Sequence, residues 1–260
     1  MAGGSGSRLR PLTCDLPKPM VPIVTRPVIT YSIELLRKFG IKDIGITLQY
    51  LPQVIQDYFR NGSEYGVNLH YFVEDTPLGT AGSVKNAGKF LDETFVVISG
   101  DALTDINIRK AVSFHKEKKA IATLVLKRVK VPLEYGVVIT GKDGSISRFV
   151  EKPNWGEVFS DTVNTGIYIL EPEVLSYIKN GQKFDFSKDL FPMLLDKGEP
   201  MYGYITDEYW CDIGNLQTYL QAHFDMLSGK VKFQLPAKKI NSNVWIGKNV
   251  DIDSSVKLEG

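Results

Sequence analysis

The chain has 260 residues, 43% hydrophobic and 23% charged, with a formal net charge of +1. That is enough for a single large core with or without an appendage. A near-neutral balance argues against a nucleic-acid partner, and no apolar run reaches membrane-spanning length. Two cysteines, Cys14 and Cys211, lie outside any CxxC spacing, and with no signal peptide they read as reduced residues of a cytoplasmic protein.

The first stretch, MAGGSGSRLRPLTCDLPKPMVP, places Gly3, Gly4 and Gly6 among serines, followed by Arg8, Arg10 and Lys18. Without Cβ bulk, such a loop can curl its N–H groups around an anion. Neither a P-loop (GxxxxGK[ST]) nor a dinucleotide loop (GxGxxG) is present, so on the glycines alone a flexible tail is an equal alternative. Loops of this kind ordinarily follow a buried strand. None precedes Met1, so the expectation is a fragment with a central sheet position unfilled.

Val28–Phe39 carries Ile29, Ile33, Leu36 and Phe39 at helical spacing before the stop at Gly40. A strand at Ile41–Leu48, a helix at Pro52–Phe59, a strand at Val67–Val73, a helix at Thr80–Leu91 and an apolar strand at Phe95–Ser99 complete the first hundred residues. Such alternation predicts an α/β fold: a doubly wound, mostly parallel Rossmann-like sheet with ligands at the carboxyl ends of its strands.

After a polar helix at Ile108–Lys118, strands are expected at Ile121–Arg128, Gly136–Thr140 and Ile146–Glu151, with Lys142-Asp143-Gly144 turning between the last two. A strand at Thr165–Leu170 follows, then helices at Pro172–Lys179 and Lys188–Lys197. Met201–Ile205 and Tyr209–Cys211 read as short strands, and Leu216–Leu227 as a helix. This half suggests a partly antiparallel extension able to close over a substrate.

From Val244 a six-residue period begins (VWIGKN, VDIDSS, VKLEG), with Ile246, Ile252 and Leu258 in the third place. It predicts the start of a left-handed parallel β-helix cut short at Gly260; a valine-rich tail is the alternative. The chain divides accordingly into a domain at 1–235 and a β-helix stub at 236–260. An unfinished apolar end needs cover, which points to a homo-oligomer.

Asp101 ends an apolar strand after Gly100, where a carboxylate either caps a turn or binds a metal. Asp212 is a second carboxylate at a strand end. Two carboxylates and a cationic phosphate loop suit Mg²⁺-assisted phosphoryl chemistry. Glu151-Lys152, Tyr135-Gly136 and Asn164-Thr165-Gly166 are ambiguous on their own: a surface charge pair and two turns explain them equally. His70, His115 and His223 show no metal-ligand spacing.

Taken together, RLRPLT…PKPMVPI after the glycines resembles the signature GGxGxRLxPLT…PKPxxPI of the sugar-1-phosphate nucleotidyltransferases. Leu78-Gly79-Thr80-Ala81-Gly82, Ser99-Gly100-Asp101, Glu151-Lys152-Pro153, Asn164-Thr165-Gly166 and Trp210–Gly214 follow in that family's order, and many members end in a left-handed β-helix. The resemblance implies transfer of a nucleotidyl group from a nucleoside triphosphate to a sugar 1-phosphate, with Mg²⁺ as cofactor. It assigns Gly3, Gly4, Ser5, Gly6, Ser7, Gly79, Thr80 and Gly82 to the nucleotide. Arg8 would neutralise the leaving pyrophosphate, Lys18 the α-phosphate, and Asp101 and Asp212 would hold the metal. Lys152 would meet the sugar phosphate, with Gly136, Glu151, Asn164 and Gly166 on the sugar. Leu78–Gly82 looks like the version in mannose-1-phosphate guanylyltransferases, implying GTP and mannose 1-phosphate. A glucose-1-phosphate thymidylyl- or uridylyltransferase is the close alternative. A regulatory subunit that binds nucleotide sugars without turning them over is the alternative of another class.

Overall fold

A computed structural model describes residues 1–4, 6–154, 156, 158–235, 237–241 and 243–258. In chain order its elements are β1 (Pro22–Ile23), β2 (Arg26–Pro27), α1 (Val28–Lys38), β3 (Asp43–Leu48), α2 (Pro52–Phe59), β4 (Asn68–Val73) and α3 (Gly79–Asn86). Then come β5 (Phe95–Ile98), β6 (Ala102–Thr104), α4 (Ile108–Lys118), β7 (Ala122–Arg128), β8 (Gly136–Thr140), β9 (Ile146–Glu151) and β10 (Thr162–Leu170). The chain continues through α5 (Phe191–Asp196), β11 (Met201–Thr206), β12 (Trp210–Asp212) and α6 (Leu216–Leu227) to β13 (Ala237–Asn241) and β14 (Val244–Gly247).

Apolar spacing explains the helices. α1 buries Ile29, Ile33 and Leu36 on one face, and Pro52 opens α2 where its missing N–H costs nothing. Asn215 caps α6 by accepting from the Thr218 N–H at 2.9 Å, while the Thr218 hydroxyl takes the Asn215 N–H.

β10 is the spine of the main sheet, pairing antiparallel with β5, β7 and β8, while β11 lies parallel beside β7 and β9 antiparallel beside β8. β3 and β4 form a separate parallel pair. The expectation of a mostly parallel sheet is therefore corrected to a mixed one. β10 re-enters from the β8–β9 arm rather than through a crossover helix, so it runs against its neighbours. Its register breaks between Asn164 and Tyr168, inside a strand expected to begin only at Thr165.

Residues Met1 and Ala2 run between β3 and β5. The Ala2 N–H donates to the Thr47 carbonyl at 3.0 Å, the Gly100 N–H to Met1 at 2.8 Å, and the Met1 amine to Ile98 at 2.9 Å. The central position expected to be unfilled is thus occupied at its carboxyl end. Further down, β3 and β5 flank a groove of about 650 Å³ lined by Ile44, Gly45, Val96 and Val97.

Alternate residues of β10 serve opposite layers. Ile167 and Ile169 face a cluster with Ile33, Leu36, Ile46 and Ile106; Tyr168 and Leu170 face Phe186, Phe191, Leu194 and Val174. Two expected helices differ. Pro172–Tyr177 is a 3₁₀ stretch, and the helix expected at Lys188–Lys197 begins as a π turn at Phe186–Leu190 before α5, because Asp185 caps the Ser187 and Lys188 N–H groups. Two of the histidines are tied into the fold. Buried His115 bonds Thr123 and Glu171, both at 2.8 Å, and His223 Nδ1 accepts the Val24 N–H.

Of the expected β-helix, the first hexad is seen pairing antiparallel: Val244–Gly247 lies against Ala237–Asn241. Among the described residues, 248–258 contain no strand. A β-helical coil bonds only to coils above and below it, so an isolated one has no main-chain partner.

Candidate active site

The glycine loop, the ends of β3, β4 and β5, and the start of α3 meet at one edge of the structure, around a cleft of about 330 Å³. Gly3 and Gly4 line it, with Lys18, Gln49, Glu74, Gly79, Thr80, Asp101 and Asp185. Gly6 stands behind the loop at φ +64°, and a Cβ there would come within 2.8 Å of the Lys18 Cβ. Its carbonyl accepts the Thr13 hydroxyl at 2.7 Å, which fixes the turn into Ser7–Leu9. Ser5 lies outside the described residues.

Lys18 binds the two halves of the site together. Its Nζ donates to Asp101 Oδ2 at 2.5 Å and sits 3.5 Å from Asp212 Oδ1. The carboxylates, 111 positions apart in sequence, meet because β12 pairs with β6, setting Asp212 opposite Ala102. Ser99 Oγ donates to the other Asp101 oxygen at 2.5 Å. Burial opposes charge on Lys18 and Asp101, but their mutual attraction wins: the ammonium is held above its ordinary range and the Asp101 carboxyl below it. Asp212 is pushed up by burial and, less strongly, by the charge on Asp101, against the pull of Lys18. Arg8 is exposed and reaches the same corner, its guanidinium 3.6 Å from where a Gly214 Cβ would sit.

Gly79 and Gly82 position the cleft wall. Gly79 is at φ +72°, and a Cβ there would meet the Phe184 carbonyl at 2.6 Å. That close approach lets Phe184 accept the Ala81 and Gly82 N–H groups. Thr80 locks the contact, its hydroxyl donating to Asp185 at 2.8 Å and accepting the Phe186 N–H at 2.9 Å. Gly79 and Thr80 reach the cleft; Gly82 stands behind them, against Gln182.

The second group of expected residues gathers on β8, β9 and β10. Gly136 faces Glu151 across the β8–β9 ladder. Lys152 follows at φ +48°, a strained conformation for a side-chain-bearing residue, with its N–H donated to Tyr135. Asn164 Nδ2 donates to Tyr168 Oη at 2.9 Å and to Ser187 Oγ at 3.4 Å, while its Oδ1 accepts the Gly166 N–H at 3.0 Å. Burial, with nearby Asp185 adding, pushes the Glu151 carboxyl up against the pull of Lys152. Gly166 packs beside Ser99, which joins this group to Asp101.

Sequence reasoning passed over Glu74, Gln49 and Asp185, and gave Ser99 no role of its own. Glu74 is 8% exposed and accepts the Leu78 N–H through Oε2 at 3.0 Å. Its signal was available: a carboxylate directly after the apolar strand Asn68–Val73, just ahead of Leu78–Gly82. Asp185 belongs to no motif and is recognisable only by its capping role.

A cation-rich glycine loop, a lysine shared by two carboxylates and a cleft at the strand ends of an α/β sheet suit a protein that handles phosphorylated nucleotides. The sequence profile of the nucleotidyl transferase family matches residues 1–229. The chain belongs to that family. It is 42% identical, over all of its length and 71% of the relative's, to a UTP–glucose-1-phosphate uridylyltransferase from Synechocystis. A mannose-1-phosphate guanyltransferase from Debaryomyces hansenii is 37% identical over 99% of this chain and 72% of its own length. Among solved structures, a Bacillus anthracis protein described as a glucose-1-phosphate thymidylyltransferase, in complex with a sucrose, superposes with a TM-score of 0.79 at 27% identity, over 90% of this chain and 95% of that one. HddC from Yersinia pseudotuberculosis, complexed with GMP-PN, gives 0.74 at 27% identity over 86% and 96%.

Proposed function

We propose that this chain transfers the nucleotidyl group of GTP to mannose 1-phosphate, releasing pyrophosphate and forming a nucleotide sugar. The base assignment is carried by Glu74. An ionised carboxylate is purely an acceptor. Guanine presents two adjacent donors, its ring N1–H and 2-amino group, which match a carboxylate edge. Uracil and thymine present one N–H between two carbonyls, which a buried carboxylate repels. Glu74 lines the cleft with one oxygen committed to Leu78, so the acid is held in place before a base arrives.

The chemistry is an in-line displacement. A phosphate oxygen of the sugar 1-phosphate attacks the α-phosphorus as the bond to the bridging oxygen of the β-phosphate breaks, and pyrophosphate carries that electron pair away. Main-chain N–H groups from Gly3 to Ser7 hold the triphosphate, with Gly79, Thr80 and Gly82 shaping the nucleotide side. Lys18 neutralises the α-phosphate as charge builds on it; Arg8 does the same for the leaving pyrophosphate. Gly136, Glu151, Asn164 and Gly166 orient the sugar, and Lys152 its phosphate. No protein nucleophile is needed: positioning and fixed charge supply the rate.

Asp101 and Asp212 suit Mg²⁺. They are hard oxygen donors that already share one cation, Lys18, and Mg²⁺ is commonly held by one or two carboxylates plus substrate phosphates. Held there, it would supply positive charge to offset the charge that builds on the substrate phosphates.

Pyrophosphate release tests the assignment, with GTP, UTP, dTTP and ATP each offered with mannose 1-phosphate and glucose 1-phosphate. GTP with mannose 1-phosphate is expected to lead, and Glu74→Gln to shift the base preference toward UTP by about tenfold or more. A lead for UTP in the unaltered protein would sink the guanine reading. The second reading, UTP with glucose 1-phosphate, is favoured by the 42% identity to the Synechocystis uridylyltransferase. We also place the protein in the cytoplasm and read the hexads from Val244, beyond a boundary at 235/236, as the start of a left-handed β-helix. Exposed Val250, Val256 and Leu258 on that segment support a homo-oligomer.

A further inference from the structure

The Lys18 ammonium stands where a divalent cation is proposed to bind. It lies 2.5 Å from Asp101 Oδ2 and 3.5 Å from Asp212 Oδ1, on a side chain only 10% exposed. The other Asp101 oxygen accepts from the Ser99 hydroxyl at 2.5 Å. Both oxygens of Asp101 are therefore engaged by donors of the chain itself. Charge is matched as well. Two carboxylates face two cations, Lys18 between them and Arg8, whose charge reaches both Lys18 and Asp212. A divalent cation brought to that set meets little net attraction, and the ammonium at the shared oxygen repels it.

Lys18 is anchored at its root and free to swing at its tip. Its backbone forms a 3₁₀ turn with Pro17 before it and Pro19 after it. Its Cβ is wedged beside Gly6, where an added Cβ would approach within 2.8 Å. Beyond that point the side chain is a flexible stem ending in a point charge. Lys18 and Asp101 line the same cleft as Gly3 and Gly4. A phosphate entering that cleft thus competes with Asp101 for the ammonium, and the exchange needs no backbone movement.

We propose that Lys18 is an internal counter-ion that makes the metal site conditional on nucleotide. Asp101 and Asp212 accept a divalent cation tightly only once a nucleotide phosphate has drawn the ammonium off Asp101 Oδ2. The proposal rests on the reading of these two carboxylates as the Mg²⁺ ligands, and it holds for any base and sugar.

Titration of the full chain with Mn²⁺, a paramagnetic substitute for Mg²⁺ at oxygen donors, tests it without nucleotide, free Mn²⁺ being read by electron paramagnetic resonance. Lys18→Met, uncharged and of similar reach, is expected to bind Mn²⁺ about tenfold or more tighter than the unaltered chain. Lys18→Met/Asp101→Asn should lose that gain, and Lys18→Arg, which keeps the charge, should show none. Equal affinity in Lys18→Met and the unaltered chain, a gain that survives Asp101→Asn, or an equal gain in Lys18→Arg would each overturn the counter-ion. A second measurement needs no folded Lys18→Met. In the unaltered chain the Lys18 ammonium signal in ¹H–¹⁵N spectra should shift on adding GTP or UTP without metal and stay in place with Mg²⁺ alone. A shift with Mg²⁺ alone, or none with either nucleotide, would overturn the proposal. The metal reading is judged separately, by whether Mg²⁺ raises nucleotide affinity in the unaltered chain and not in Asp101→Asn. An equal rise in both removes that reading and the proposal with it; where the reading stands, equal Mn²⁺ affinities remove the counter-ion only.

Discussion

Asp101 is fixed structurally at the place where the proposed chemistry needs a carboxylate. It accepts from Ser99 and Lys18, each at 2.5 Å, on opposite oxygens, so its position is fixed before any ligand arrives. Asp101→Asn keeps the shape and removes the charge that a divalent cation needs. Turnover with Mg²⁺ is expected to fall by about 10²-fold or more, with circular dichroism unchanged. Full activity in the variant would remove Asp101 from the metal site. This residue was legible because Gly100-Asp101 ends an apolar run, and so was Lys18, flanked by Pro17 and Pro19. Glu74 went unread although it directly follows an apolar strand; Asp185 was harder, since it acts through local backbone bonds that no spacing records. The partnership of Asp101 with Asp212 rests on the β6–β12 pairing, which is set by tertiary structure.

Among elements, α2, α4 and α6 have the bounds their apolar spacing predicts. The segment after Pro172 does not: Pro172–Tyr177 is a 3₁₀ stretch and Phe186–Leu190 a π turn ahead of α5. α6 also carries a pH-dependent tether. Asp225 accepts from Tyr209 Oη at 3.0 Å, from Gln221 and from Lys230 at 2.7 Å, tying the helix to the start of β12. Burial opposes its charge, but the bonds from Lys230, Gln221 and Tyr209 outweigh it and hold the carboxyl below its ordinary value of 3.8. A depressed carboxyl contributes stability that is complete above the unfolded value and is lost as pH falls through the folded one. Asp225→Asn is therefore expected to lower stability at neutral pH by about 1–3 kcal/mol and to flatten the loss on acidification below about pH 4. Denaturant titrations across that range would show it; superimposable profiles would count against the tether.

On the scale of the whole molecule, a charge near zero conceals a concentration of cations facing the carboxylates at the glycine loop. The hexads beyond the hairpin leave Val250, Val256 and Leu258 exposed. Removing residues 239–260 should reduce self-association in sedimentation velocity; a monomer both before and after would defeat the oligomer proposal. The fold class was readable from the alternation of strands and helices up to Ser99. The partly antiparallel character of the second half was readable too; that β10 joins it to β5 antiparallel in the same sheet was not, because strand direction depends on the path of the chain through β8 and β9.

β10 supplies a last consequence. Its odd-numbered apolar residues, Ile167 and Ile169, belong to one core, and Tyr168 and Leu170 belong to the other, while its edges bond to β5 on one side and β7 on the other. Neither core can melt while the other keeps its wall. Heating should therefore give one calorimetric transition for residues 1–235, with the calorimetric and van't Hoff enthalpies agreeing. Asn164 and Gly166, on the same strand, would lose their places in that same step, so the proposed sugar side and the glycine-loop cleft should fail together.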